Sequence, residues 1–339
     1  KICANIDFGN KEKIHGSRDY FRFLKGNFSF EIVPVLRIRN PEEARNVTDL
    51  SYFHIDYVLN AIKKNPKLSN EIVLAKNFAY SCNCYGAESY IKGFSGYALE
   101  LLIIYYKTFL NFVKNLSQIK KKKVIDITNF YKSTEEVLMN LNEAKLESPV
   151  VLIDPTFKER NVLAVLSSET FARFQRACIE FLKRPSKRFF ELKEFDEKEF
   201  KKKAQRKNSF YVKVLAKTEK QAGDIAGSKL LKFFNFLVLR VEKYFEIFGK
   251  HFQYDEGKKA EFYFILKKRE KIIVKGPPLK LKENVEEFRK KHKNVFIKVD
   301  RIYAFEKVNL KPREFFNNLR KKKRKLLREM GIADFRVLS

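Results

Sequence analysis

The stretch Gly86 to Tyr106, GAESYIKGFSGYALELLIIYY, sets three glycines ahead of an apolar run that contains one acid, Glu100. The whole chain has only 12 glycines in 339 residues, so this concentration needs a physical cause. Glycine lets backbone approach where a side chain would block it. From Tyr97 to Leu116, the residues Leu99, Leu102, Ile103, Tyr106, Leu110 and Val113 keep the three-and-four spacing of a helix. A tight glycine turn set against a buried helix is therefore expected. Glu100 should be paired with a neighbouring Lys or Arg.

Working outward, residues 18–38 read as a hairpin, YFRFL and FSFEIVPVLRI, around the turn signal Lys25-Gly26-Asn27. Phe28, Phe30 and Ile32 share one face of the second strand, which turns Glu31 to the other; Pro34 ends the regular pairing. Helices are expected from Tyr52 and from Asn70. PVVLID reads as a short buried strand. SSETFARFQRACIEFLKRPS reads as a helix opened by a capping box at Ser167/Ser168 and Glu169, stopping before Pro185. Residues 191–208 read as a charged connection. Beyond it come a strand SFYVKVLAK, a helix from Ser228 to Phe248, and a strand AEFYFILKK. VKGPPLKL then breaks the chain, followed by a helix Asn284 to His292, a hairpin VFIKVDRIYAFEKV and a basic helix to the end.

Hydrophobic residues make up 45% of the chain, with 34 Phe and 15 Tyr, enough for packed cores and against disorder. The length suits several domains. No apolar run approaches the roughly 18 residues of a membrane span, and no signal-peptide pattern opens the chain. The first residue is Lys rather than Met, which leaves room for sequence upstream. Cys3, Cys82, Cys84 and Cys178 are too few and scattered for a disulfide framework, and a reduced, cytoplasmic setting is expected. The net charge of +30 points to a polyanionic partner. The basic residues cluster at Lys120–Lys123, Lys201–Lys203 and Arg320–Lys325, with aromatics such as Phe189, Phe210, Tyr211 and Phe315 beside them, which favours RNA over a membrane surface.

No phosphate-binding glycine signature of the P-loop or Rossmann kind is present, and four histidines offer no metalloprotease or triad pattern. What stands out is polar residues in apolar surroundings: Glu31, His54, Lys76, Tyr85, Arg160 and Asn161. Together, an acid, an imidazole, a lysine, a tyrosine and an arginine could grip a triphosphate and its metal ions.

Three runs carry a resemblance: FEIVPVLRIRNPEEARNVTDLSYFH, EIVLAKNFAYSCNCYGAESYIKGFSGYALELLI and VVLIDPTFKERNVLAVLSSETFARF. They resemble the class I (archaeal-type) CCA-adding tRNA nucleotidyltransferases, densely from about residue 12 to 190 and thinly afterwards. The resemblance implies an α+β multidomain fold. A partial nucleotidyltransferase-type head sheet would occupy 1–50, a helical neck completing the nucleotide pocket 51–190, an α/β body 191–278, and a basic tail 279–339. It implies C, C, A addition to the tRNA 3′ end from CTP and ATP by in-line attack on the α-phosphate, with Mg²⁺ as cofactor. Glu31 would stand as the third metal-binding carboxylate. Ser51, His54, Lys76 and Tyr85 would hold the nucleotide's sugar and triphosphate, and Arg160 would read the base edge. Arg320, Lys321, Lys322, Lys323, Arg324 and Lys325 would grip the tRNA acceptor stem. A homodimer is left open.

The departures are specific. Glu31 replaces an Asp, Leu50 an Arg, and Ser51-Tyr52 a Thr-Pro pair. The family's Gly-Ser loop and Asp/Glu-x-Asp pair are not found. Gly16-Ser17 imitates the loop, but Val33 stands where an acid would be needed, and Glu194-Phe195-Asp196 lies in a charged connector. A longer natural protein that carries the missing acids is expected. The alternatives are a non-catalytic tRNA-binding relative and a poly(A)- or oligoadenylate-type nucleotidyltransferase.

Overall fold

The computed structural model describes residues 11–14, 18–26, 28–192 and 194–339. Gly16-Ser17, the turn residue Asn27 and Cys3 lie outside the described residues. The chain divides into two units, Lys1–Lys193 and Glu194–Ser339.

In the first unit, β1 (Lys11–Ile14), β2 (Tyr20–Lys25) and β3 (Phe28–Ile32) form an antiparallel sheet in that order. Phe30 stacks on Phe23 with centroids 5.2 Å apart, while Arg22 and Glu31 pair across the strands on the opposite face. The aromatic face is largely open, with Phe28 72% and Phe30 44% exposed. After a 3₁₀ turn at Pro41–Glu43 and another at Val47–Leu50, α1 (Ser51–Lys64) and α2 (Leu68–Ser81) begin the helical core. Buried Asp49 fixes this entry, accepting from Arg18 at 2.8 Å and from the Leu36 and Asn46 amides at 2.8 and 3.1 Å. The expected single helix to Leu116 is instead two, α3 (Gly96–Tyr106) and α4 (Phe109–Ser117). Lys107 turns at φ +71° and Thr108 caps α4 by accepting from the Asn111 amide, a start signal hidden within the continuous apolar period.

β4 (Lys123–Asp126), α5 (Thr134–Asn140), α6 (Glu143–Leu146), β5 (Val150–Asp154) and β6 (Phe157–Asn161) follow, and then α7 (Ser168–Lys183) and a 3₁₀ turn at Lys187–Phe190. The sheet order is β4-β5-β6, with β4 parallel and β6 antiparallel to the fully buried β5. Ser167 caps α7, but the residue three positions on is Thr170, whose amide it accepts, so the expected capping box with Glu169 does not form. Phe78, Phe94, Phe112 and Phe174, none more than 1% exposed, join α2, α3, α4 and α7 in one core.

The second unit opens with α8 (Glu197–Arg206), where a connection was expected. Its charges mask the period, and Asp196 caps it while Lys201 pairs with Glu197 at 2.7 Å. β7 (Phe210–Lys217), α9 (Asp224–Val241), β8 (Phe245–Tyr254) and β9 (Lys259–Lys268) come next. Phe245 was expected in the helix, yet it starts β8, because pairing with β9 from Phe245 to Tyr254 overrides a helical repeat. Next are β10 (Lys271–Pro278), α10 (Lys282–Lys291), β11 (Val295–Lys298), β12 (Arg301–Lys307), α11 (Pro312–Lys322), α12 (Arg324–Glu329) and β13 (Asp334–Val337). The expected chain break at Gly276-Pro277-Pro278 belongs to edge strand β10, where a register shift after Lys275 accommodates the prolines. The C-terminal helix is interrupted at Lys323, and the chain returns as β13 to extend the sheet β13-β7-β9-β8. The other sheet runs β10-β12-β11.

Candidate nucleotide site

Two polar clusters meet at the start of α3. Gly93 can lie beside the Cys84 carbonyl only without a side chain, since a Cβ there would sit 2.2 Å from that oxygen. This close pass lets Phe94 pair with Cys84 and Gly86 with Phe94, which brings the Tyr85 loop against the first turn of α3. At Gly96 a Cβ would fall 3.1 Å from the Tyr85 hydroxyl and 3.8 Å from Lys76 Nζ. Lys76, on α2, donates to Glu100 Oε1 at 2.6 Å, which pairs the isolated acid of the opening stretch. An ammonium, a phenol and the first amides of an 11-residue helix therefore share one spot. Those first amides have no carbonyl within the helix to bond, and the dipole favours an anion there.

One residue along, Tyr97 enters the second cluster. Asp154 is completely buried at the end of β5, and its turn to β6 is held by the Thr156 amide and hydroxyl, 2.9 and 2.7 Å from Oδ1. Tyr97 donates to Oδ1 at 3.1 Å and Arg160 Nη1 donates to Oδ2 at 2.6 Å. His54 Nε2, on the first turns of α1, lies 3.1 Å from Oδ2 and 3.0 Å from Arg160 Nη1. It donates to the carboxylate or accepts from the guanidinium according to its tautomer. The His54 ring stacks on Tyr97 with centroids 4.1 Å apart. Burial pushes the Asp154 carboxyl up, but the His54 hydrogen bond and charge, the Thr156 amide and Arg160 outweigh it and hold it below the usual carboxylate range. Burial, then the charge of Asp154, pushes the Tyr97 phenol up.

Of the residues singled out from sequence, His54 and Arg160 thus share one carboxylate, and Lys76 and Tyr85 share the start of α3. Ser51 opens α1, one turn before His54 on the same side. Asn161 is structural: its amide oxygen accepts from Leu152 and Leu163, both at 2.9 Å. Asp154 was not singled out, although Asp-Pro-Thr after a buried strand is an Asx-turn signal. Glu31, 43% exposed at its side chain, faces Arg22 at 2.6 Å. Among the described residues no three His, Cys, Asp or Glu side chains converge to hold a metal ion. Those residues do not by themselves form a two-metal centre. In the second unit, Arg320 is bound to both oxygens of Asp334 at 2.7 and 2.6 Å, whereas Lys321, Lys322, Lys323, Arg324 and Lys325 are exposed.

The family described as tRNA nucleotidyltransferase, second domain, matches residues 70–191. A CCA-adding enzyme of Nanoarchaeum equitans is 35% identical over 299 residues, covering 86% of this chain and 70% of its own length. CCA-adding enzymes of Thermococcus gammatolerans and Methanocaldococcus jannaschii are each 28% identical, covering 89% of this chain and 66% and 65% of their own lengths. The chain thus spans about two thirds of these two relatives. Among the described residues no helix is long and apolar enough to cross a membrane.

Proposed function

This chain belongs to the CCA-adding tRNA nucleotidyltransferases, and from that membership we propose that it adds C, C and A to the 3′ end of tRNA from CTP and ATP, releasing pyrophosphate. The observation that carries the reading is the junction at Gly96-Tyr97, where a helix start beside the Lys76–Glu100 pair adjoins a buried carboxylate that orients His54 and Arg160. Lys76, Tyr85 and the first α3 amides suit a triphosphate. Ser51 and His54 suit the sugar. Arg160, with one nitrogen fixed on Asp154, keeps further donors of its planar fork for a base edge. Glu31 is proposed as a carboxylate that turnover requires.

The test is a tRNA without its CCA end, incubated with each triphosphate and sized at single-nucleotide resolution. Addition of C, C and A followed by a stop is expected, and Glu31→Gln should abolish incorporation while tRNA affinity stays within about twofold. Untemplated runs of A would favour the poly(A)-type alternative, and tRNA binding without incorporation would favour the non-catalytic one.

The exposed cations of α11 and α12 are proposed to neutralise tRNA phosphates. Changing Lys321, Lys322, Lys323, Arg324 and Lys325 to Gln should weaken tRNA binding. It should also flatten the slope of log affinity against log salt by roughly 0.7–0.9 for each phosphate that is no longer neutralised. Arg320 is left in place because its tie to Asp334 holds β13. An unchanged slope removes the assignment.

A further inference from the structure

Three free thiols, Cys82, Cys84 and Cys178, lie near one another where α2 ends against α7. Cys82 follows the last residue of α2, Asn83 turns at φ +55°, and Cys84 comes next. The turn brings the first two thiols into a mutual hydrogen bond. Cys84 Sγ also lies 3.4 Å from the Cys82 carbonyl and 3.5 Å from the Thr170 carbonyl. Cys82 is half-buried, whereas Cys84 and Cys178 are completely buried. Arg173 of α7 fixes the turn by donating to the Asn83 carbonyl at 2.9 Å. The hydrogen bond from Cys82 lowers the Cys84 thiol, and Arg173 and Arg176 add to this against the effect of burial.

Cys84 also carries the backbone on which the candidate nucleotide site rests. Its amide donates to the Ala79 carbonyl at 2.8 Å, and its carbonyl accepts from the Phe94 amide at 2.8 Å. Gly93 passes so close to that carbonyl that no side chain fits between them, and the next residue is Tyr85, whose hydroxyl reaches the start of α3. We infer that Cys82 and Cys84 form a reversible dithiol–disulfide switch, oxidised by a peroxide, that loosens the triphosphate site. The inference rests on the proposed nucleotide reading and adds a regulation of that site. In the oxidation, the accessible Cys82 sulfur attacks one peroxide oxygen and becomes a sulfenic acid as the first water leaves. The Cys84 sulfur then displaces its hydroxyl as the second water. The O–O bond breaks, one S–S bond forms, two electrons pass from sulfur to oxygen, and both thiol protons end in water. A disulfide draws two sulfurs from hydrogen-bond contact to about 2 Å. With one residue between the cysteines, that shift falls on the backbone of the turn and moves Cys84 away from Phe94. A bond closing so short a loop is strained and therefore easily reduced, which suits a transient bond in a reducing setting.

The full chain is treated with hydrogen peroxide, the remaining thiols are blocked, and the protein is cut with trypsin. Residues 77–92 contain no internal Lys or Arg, so Cys82 and Cys84 leave in one peptide, and Cys178 leaves in another, residues 177–183. The first peptide should appear unblocked and lighter by two hydrogen atoms, and dithiothreitol should restore it. Calorimetric titration of the same oxidised protein should show CTP and ATP bound roughly 10- to 100-fold more weakly, the scale of one hydrogen bond to a charged group. The weakening should reverse with dithiothreitol. Cys82→Ser should bind both nucleotides as the reduced protein does and should not respond to peroxide. A link between the two peptides, or a gain of oxygen in place of the bond, overturns the pairing. An internal bond with unchanged nucleotide affinity overturns the switch alone. If the reduced chain binds neither nucleotide, the nucleotide reading fails and the switch with it, even where the peptide carries the bond.

Discussion

Lys76→Met should lower kcat/KM for CTP and ATP together by roughly 10²–10³, the scale of removing one charged donor from a developing anion. The loss should persist when Glu100→Gln is added. Lys76 and Glu100 are paired at 2.6 Å, but their side chains are 33% and 23% exposed, so the pair stabilises the fold by at most about 1 kcal/mol. Two explanations of an inactive Lys76→Met must therefore be separated. If Lys76 binds phosphate, its charge is gone in both the single and the double variant, and neither works. If Lys76 serves only to neutralise Glu100, the single variant fails because an unpaired acid at the start of α3 repels the triphosphate. The double variant would then recover, and recovery would remove Lys76 from the nucleotide site. Because both nucleotides share the triphosphate, the ratio of CTP to ATP use should not move, and melting temperatures should stay within a few degrees of the unaltered protein.

The difference between what the sequence discloses and what it hides follows from how each signal is written. A helical pattern located α1, α2 and α7, and in α2 and α7 a buried stripe repeats over three or more turns. It merged α3 with α4, because Thr108 is a cap only once Lys107 has turned, and a local turn leaves no mark on an apolar repeat. It also carried α9 on through Phe245, because a residue equally suited to helix and strand is decided by β9, a partner distant in sequence. The site shows the same division. His54 and Arg160 were visible as polar residues out of place, but they are 106 positions apart, and no spacing rule announces that they share a carboxylate. Asp154 escaped notice because it closes the run PVVLID and reads as the last residue of a buried strand, which it also is. A residue that satisfies a local rule hides its distant role.

That distant role makes Asp154 a position where substitution should be costly. The carboxylate is fully buried and receives hydrogen bonds from Arg160, Tyr97 and Thr156, with His54 beside it. Asp154→Ala leaves the Arg160 charge without its partner, a loss of about 3–5 kcal/mol for a buried pair. In a unit of this size that corresponds to a melting temperature lower by roughly 10 °C. Asp154→Asn keeps an acceptor for Thr156 and Tyr97 but not the charge that aims Arg160. It should melt closer to the unaltered protein, yet lose discrimination between correct and incorrect nucleotides, because Arg160 is free to turn away. The pH dependence fixes the cause. The folded carboxyl is held below its unfolded value near 3.9, so its stabilisation is complete above about pH 4 and fades as pH falls towards the folded value. The gap in melting temperature between the unaltered protein and Asp154→Asn should therefore be widest at pH 7 and narrow on acidification below pH 4. A gap that is constant with pH would mean that the charge of Asp154 does not hold this cluster together. An Asp154→Asn protein with unaltered selection of C and A would mean that Arg160 needs no such anchor to recognise the base.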